Sequence, residues 1–156
     1  MFGENYILGT TEIQVEKTKS RIQLPSFCGA EKGDKLVLLE RVNYIEVWNV
    51  NDILTILREC QEKIKTSTII DEIEYYNNQS DMITAFIGCV KELKDKRLII
   101  GKEILEKYNI KYNDILIIEG KDNHIRIWPK DKFISYQEKL KKNTTNKKLS
   151  RIKKQK

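Results

Sequence analysis

Two clusters of positive side chains, Lys17, Lys19 and Arg21 early in the chain and Lys94, Lys96 and Arg97 much later, each fall at a polar connection between short alternating segments. Such a connection is where a two-stranded ribbon turns outward into solvent. Lysines placed there neutralise phosphates, and an arginine donates twice to one guanine edge in the major groove, which a two-stranded ribbon is narrow enough to enter. Arg21 and Arg97 are therefore the candidates for base contacts, and Lys17, Lys19, Lys94 and Lys96 for phosphate contacts. Turns are polar in most proteins, and with 23 Lys against 6 Arg this composition decorates any loop. Charge alone does not separate a binding tip from a solvated one.

Other chemistry is missing from the inventory. The single histidine, His124, lacks a base or nucleophile partner in the sequence pattern and reads as half of an aromatic strand position. There is no Gly-x-Gly-x-x-Gly, Walker loop, His-Glu-x-x-His or Gly-x-Ser-x-Gly, and the carboxylates form no recognisable acid and base pair. No catalytic residue, metal site or cofactor is expected, and the chain is not read as an enzyme. Cys28, Cys60 and Cys89 are odd in number, far apart and set in apolar surroundings, which fits a reduced chain in the cytoplasm. Glu4 and Asn5 interrupt the start where a signal peptide needs a positive flank and an apolar run. The longest apolar runs, such as Ile83 to Val90, are too short for a bilayer, so no membrane partner is expected.

The 156 residues suffice for one ordinary domain or two small units around a shared core. The net charge of +6 is unevenly spread: nine basic and no acidic residues occupy the last eighteen positions, leaving 20 basic and 23 acidic in the preceding 138. Only local basic spots and the tail can attract a polyanion.

An internal repeat positions the two clusters. Asp34 to Trp48 and Asp114 to Trp128 superpose without a gap, and five of fifteen positions are identical: Asp34/Asp114, Leu36/Leu116, Asn43/Asn123, Ile45/Ile125 and Trp48/Trp128. Upstream, Arg21-Ile22-Gln23-Leu24-Pro25 matches Arg97-Leu98-Ile99-Ile100-Gly101 at an offset of 76 rather than 80. Each copy reads as two hairpins around a short connector, with Ile13 and Val15, then Ile22 and Leu24, alternating with polar neighbours. Tyr44, Glu46 and Trp48 share one strand face, and His124, Arg126 and Trp128 repeat that phase. Lys102 to Tyr108 has helical composition, with Ile104 and Leu105 inward. A helix capped by Asn49 or Asn51 is predicted through Ile64. A second is predicted over Thr68–Tyr76 and a third from Ser80 to Ile87, broken apart by Asn77-Asn78-Gln79-Ser80. Pro129 suits a first helical position leading to Leu140, and the Lys-, Asn- and Thr-rich residues beyond read as disordered. The predicted organisation is a first repeat at 1–50, a helical connector at 51–87, a second repeat at 88–129, a C-terminal helix at 130–141 and a basic tail at 142–156.

Several of these stretches resemble the MraZ family within the wider group of AbrB-like swapped-hairpin transcription factors. They are the opening Met1-Phe2, Ser20-Arg21-Ile22-Gln23-Leu24-Pro25, Phe86-Ile87-Gly88 before the second hairpin, and Ile115 to Gly120 followed by His124-Ile125-Arg126-Ile127-Trp128. The resemblance spans roughly residues 1 to 140, and the order of the motifs carries most of it. It implies an α+β fold in which two AbrB-like swapped-hairpin β units are duplicated in one chain and packed with connecting α-helices. It also implies a nucleoid-associated regulator whose chains close into a ring-like homo-oligomer, and which binds direct repeats in double-stranded DNA upstream of a cell-division and cell-wall operon, usually repressing it. The family signature is Asp-x-x-x-Arg in each half. Lys17 stands at the acidic position before Arg21, the second loop reads one residue short with Asp95 displaced, Ser20 and Lys96 replace Gly, and Gly101 replaces Pro. The rival expectation is an antitoxin-like or scaffold module whose segment 50–87 binds a partner protein. RNA binding through the tail is a third, without the surface aromatic motifs that stack single-stranded bases.

Overall fold

Alternating apolar residues and short polar connections translate into eight strands and four helices among the residues described by the computed structural model, 1–17 and 19–154, the last nine by backbone alone. Strands β1 (Thr10–Gln14) and β2 (Arg21–Gln23) precede a 3-10 turn at Ser26–Cys28, β3 (Lys35–Glu40) and β4 (Ile45–Asn49). Helices α1 (Val50–Thr66) and α2 (Ile70–Phe86) follow, then β5 (Lys91–Glu92), β6 (Arg97–Ile99), α3 (Lys102–Lys107), β7 (Ile115–Lys121), β8 (His124–Pro129) and α4 (Lys130–Lys154). The fold is α+β. One antiparallel sheet runs β1-β7-β8-β4-β3-β5, and β2 and β6 form a separate antiparallel pair.

The strand order reads the same from either end when β1–β4 are exchanged for β5–β8. Pairing register carries the same relation: β4 and β8 pair around Glu46 opposite Arg126, and β2 and β6 around Ile22 opposite Leu98. Both are positions that the repeat aligns with each other. The predicted hairpins β3–β4 and β7–β8 are present. The predicted pairing of β1 with β2 is not: a single bridge, Glu16 with Arg21, joins them, while β1 ladders with β7 and β2 with β6. β7 offers β1 five paired positions, and β2 is too short to compete. The connection between β5 and β6 spans residues 93–96, against 15–20 between β1 and β2, so the second loop is two residues shorter rather than one.

One core takes residues from both repeats, including Ile22, Leu38, Val47, Leu98, Ile118 and Ile127. Phe2 is fully buried in it, its N–H donating to Asp34 Oδ2 at 2.9 Å and its carbonyl accepting from Asn49 Nδ2 at 3.1 Å. The repeated aspartates share one local task, accepting the N–H of the residue three positions earlier: Glu31 to Asp34 at 2.9 Å and Lys111 to Asp114 at 2.8 Å. On the other face of the sheet, Ile53 of α1 and Ile83 of α2 pack on Val37 and Leu39, while Phe133 of α4 packs on Ile117 and Trp128.

Several local expectations change. α2 runs unbroken through Asn77–Ser80, because no Gly or Pro interrupts it and Asn, Gln and Ser are tolerated within a helix. Pro129 ends β8, and the helix starts at Lys130. α4 continues to Lys154 where disorder is predicted from 142, since the lysine-rich stretch contains no helix breaker. The predicted tail's last residues, 155 and 156, lie outside the described residues, as does Thr18 in the first cationic loop. Cys28 and Cys60 are buried, whereas Cys89 is exposed rather than set in apolar surroundings.

Candidate nucleic-acid interface

The β2–β6 pair builds the candidate site from strand alternation alone. Ile22 and Leu98 point into the core and are completely buried, which turns Arg21 and Gln23 on β2, and Arg97 and Ile99 on β6, to the opposite face. Arg21 lies opposite Ile99, and Gln23 opposite Arg97. Two further hydrogen bonds extend the ribbon symmetrically, Leu24 N–H to Lys96 O at 2.8 Å and Ile100 N–H to Ser20 O at 2.9 Å. They fix the two loops at opposite ends of the pair, about 13 Å apart at 3.3 Å per residue. Lys17 and Lys19 lie at one end and Lys94 and Lys96 at the other, all exposed. Ser20, buried with φ at +48°, occupies left-handed backbone that favours glycine, and its Oγ lies 3.2 Å from Tyr112 Oη.

Arg21 and Arg97 converge on a residue the sequence reading did not single out, Glu16. Arg21 Nε donates to Glu16 Oε2, and Arg97 Nε lies 3.3 Å from Glu16 Oε1. Arg97 Nε also reaches Gln23 Oε1 at 3.3 Å, its Nη1 lies 3.9 Å from Asp95 Oδ2, and its N–H donates to Asp95 Oδ1 at 2.8 Å. The arginine side chains are 21% and 42% exposed, so Arg21 is the more enclosed of the two. Both contacts to Glu16 run through Nε. Glu16 sits five residues before Arg21, one position earlier than in Asp-x-x-x-Arg, so that pattern does not point to it. Gln23 was findable from alternation, since it shares the phase of Arg21. Lys91, on neighbouring β5, donates to Ile99 O at 2.6 Å, and burial lowers its pKa below the ordinary lysine value.

Away from the ribbon, the outer face of β4 and β8 is aromatic and crossed between the repeats. Trp48 stacks on His124 with centroids 3.8 Å apart, and Trp128 lies 4.5 Å from Tyr44. Glu46 accepts from Arg41 Nε at 2.5 Å and from Trp48 Nε1 at 2.9 Å. His124 Nε2 lies 3.4 Å from Glu46 Oε2, and burial pushes the imidazole down to about 4, keeping it neutral near pH 7. Burial also raises the Cys28 thiol to about 12, far from a reactive thiolate. Among the described residues no group of His, Cys, Asp and Glu is arranged to hold a metal ion, and no helix is long and apolar enough to cross a membrane.

No protein-family model matches the chain, and no curated protein matches it.

Proposed function

We propose that the protein is a sequence-specific DNA-binding transcriptional regulator that lays the outer face of the β2–β6 ribbon into the major groove. The observation carrying this reading is the convergence of Arg21 and Arg97 on one face of a two-stranded ribbon whose ends each bear a pair of exposed lysines. The palindromic strand order and the exchange of β1 and β5 between the halves support a duplicated swapped-hairpin fold of the MraZ-like kind. With that fold go direct-repeat operators near a cell-division and cell-wall operon, repression as the usual outcome, and a cytoplasmic, nucleoid-associated place.

The mechanism is electrostatic docking followed by groove reading. Lys17, Lys19, Lys94 and Lys96 neutralise phosphates on either side of the groove while Arg21 and Arg97 reach base edges between them. Gln23, beside Arg97, is the third polar group on the reading face. A single ribbon of three-residue strands makes few base contacts, so several copies on repeated sites supply affinity through effective concentration. Selection of bound fragments from random duplex DNA tests the reading. Wild type enriches a short repeated motif, and Arg21→Ala or Arg97→Ala relaxes the preference at particular positions. Absence of any enriched motif, or unchanged motifs in both variants, refutes it.

A further inference from the structure

Strands β2 and β6 hold corresponding places in the two repeats, and their pairing centres on Ile22 opposite Leu98. A two-fold relation through that pair exchanges Arg21 with Arg97 and Gln23 with Ile99. The arginines match. The other exchange does not, because it sets an amide against an aliphatic side chain. Ile99 is 50% exposed and is the one apolar residue among the four on the outer face of the ribbon.

Single exposed apolar side chains are ordinary on protein surfaces. Ile99 is set apart by where it stands. Ile100 N–H donates to Ser20 O and Leu24 N–H to Lys96 O, so the ladder bonds fall at those pairs and at Ile22/Leu98 between them. Arg21/Ile99 and Gln23/Arg97 are therefore the closely spaced pairs without hydrogen bonds between them. Side chains so paired stand about 4.5–5.5 Å apart at Cβ, and successive bases along a strand rise about 3.4 Å. Ile99 thus lies beside Arg21 within reach of the neighbouring base pair. Lys91 Nζ donates to the Ile99 carbonyl at 2.6 Å, holding the backbone there while the side chain stays half bare.

On the floor of a major groove, the one group that suits an aliphatic side chain is the C5-methyl of thymine. The other bases present donors and acceptors, which an isoleucine would leave desolvated and unpaired. We propose that Ile99 reads a thymine methyl in the base pair next to the guanine taken by Arg21, making the operator asymmetric at that step. Ile99 has this role only if the ribbon enters the groove as proposed above. At the related position Gln23 offers an amide, which suits adenine. A motif that is palindromic in its two guanines therefore departs from palindromy at the adjoining pairs. The same methyl separates DNA from RNA, whose uracil lacks it and whose deep major groove side chains cannot read.

Competition binding on the selected operator tests the assignment by a change in the duplex alone. Arg21→Ala marks the guanine, as the position where its selected motif relaxes. Replacing the thymine beside it by deoxyuridine removes one methyl group and no hydrogen bond, and wild type should lose about 4-fold, the worth of one buried methyl. With 5-methylcytosine at that position wild type should bind about 4-fold more tightly than with cytosine. Ile99→Ala should bind the thymine and deoxyuridine duplexes equally while keeping the guanine preference. Ile99→Gln gives both strands the same outer face, and its selected motif should become palindromic. Circular dichroism checks that both variants, changed at an exposed site, are folded. A motif without thymine beside that guanine, or equal wild-type affinity for thymine and deoxyuridine, overturns the role of Ile99 and leaves the ribbon reading standing. A loss in Ile99→Ala that is the same on every duplex overturns it too, and gives Ile99 to a contact with protein. Absence of any selected motif overturns the ribbon reading and the role of Ile99 together.

Discussion

Replacing Glu16 by Gln removes the carboxylate shared by the two arginines and should move specific and non-specific binding in opposite directions. In the free protein both guanidinium groups are held through Nε by that one side chain. An arginine carries about 2 kcal/mol of rotamer freedom. If the shared carboxylate suppresses about half of it at each arginine, freeing both costs about 2 kcal/mol of discrimination, roughly 30-fold. The lost negative charge acts the other way. At about 7 Å from a phosphate in water it repels by about 0.6 kcal/mol, so its removal strengthens binding to any duplex about 3-fold. Glu16→Gln should therefore bind a scrambled duplex about 3-fold more tightly and the selected operator about 10-fold more weakly. Folding stability should fall by less than about 1 kcal/mol, because these are partly exposed ion pairs. Fluorescence anisotropy with both duplexes at one salt concentration measures the pair of effects. Equal strengthening on both duplexes would show that Glu16 merely repels phosphate and does not position Arg21 and Arg97, refuting the reasoning.

Operator affinity should fall linearly with salt on log-log axes, the slope becoming shallower by about 0.9 for each of Lys17, Lys19, Lys94 or Lys96 changed to Ala; an unchanged slope in all four removes them from the phosphate contacts. Leu98→Ala, at the centre of the β2–β6 pair with no exposed surface, should cost about 3 kcal/mol in urea unfolding, and a loss well under 1 would show that the ribbon is not anchored in the core. The His124 imidazole, held near 4 by burial, stays neutral in the folded protein while the unfolded chain protonates below about 6.5. Stability attributable to this group is therefore complete above about pH 6.5 and declines as pH falls toward about 4, by about 3 kcal/mol in all. Glu46 on β4 and Asp122 in the preceding turn oppose the shift, and Arg126 and Lys121 add to it. His124→Tyr, matching aligned Tyr44, should flatten the slope between those values relative to wild type, and identical slopes in the two proteins contradict the assignment.

Residues aligned in the sequence take matching local roles, Asp34 and Asp114 in tight turns and Ile45 and Ile125 in one core. Strand phase around Trp48 and Trp128, the Asn49 cap on α1 and the inward Leu105 of α3 followed from alternation and spacing. Partner choice did not, because alternation states which face a residue takes and is silent on which strand lies beside it. Thus β1 was expected on β2 and is found on β7. The polar run in α2 misled for a different reason: Asn, Gln and Ser lower helix propensity only slightly, and the packing of Ile83 on Val37 and Leu39 holds the helix beyond the run in place. At the site, positive side chains were legible as charge, but the residue that organises them was not. Glu16 bonds Arg21 across the loop, and it meets Arg97 only because β2 lies beside β6.

Backbone amide chemical shifts recorded as a selected duplex is added locate its contact without relying on any substitution. A groove-reading ribbon predicts the largest changes at residues 16–23 and 94–99, saturating together, with small changes along α1 and α2. Changes confined to the helices, or none at Arg21, Gln23 and Arg97 while the duplex binds, contradict it.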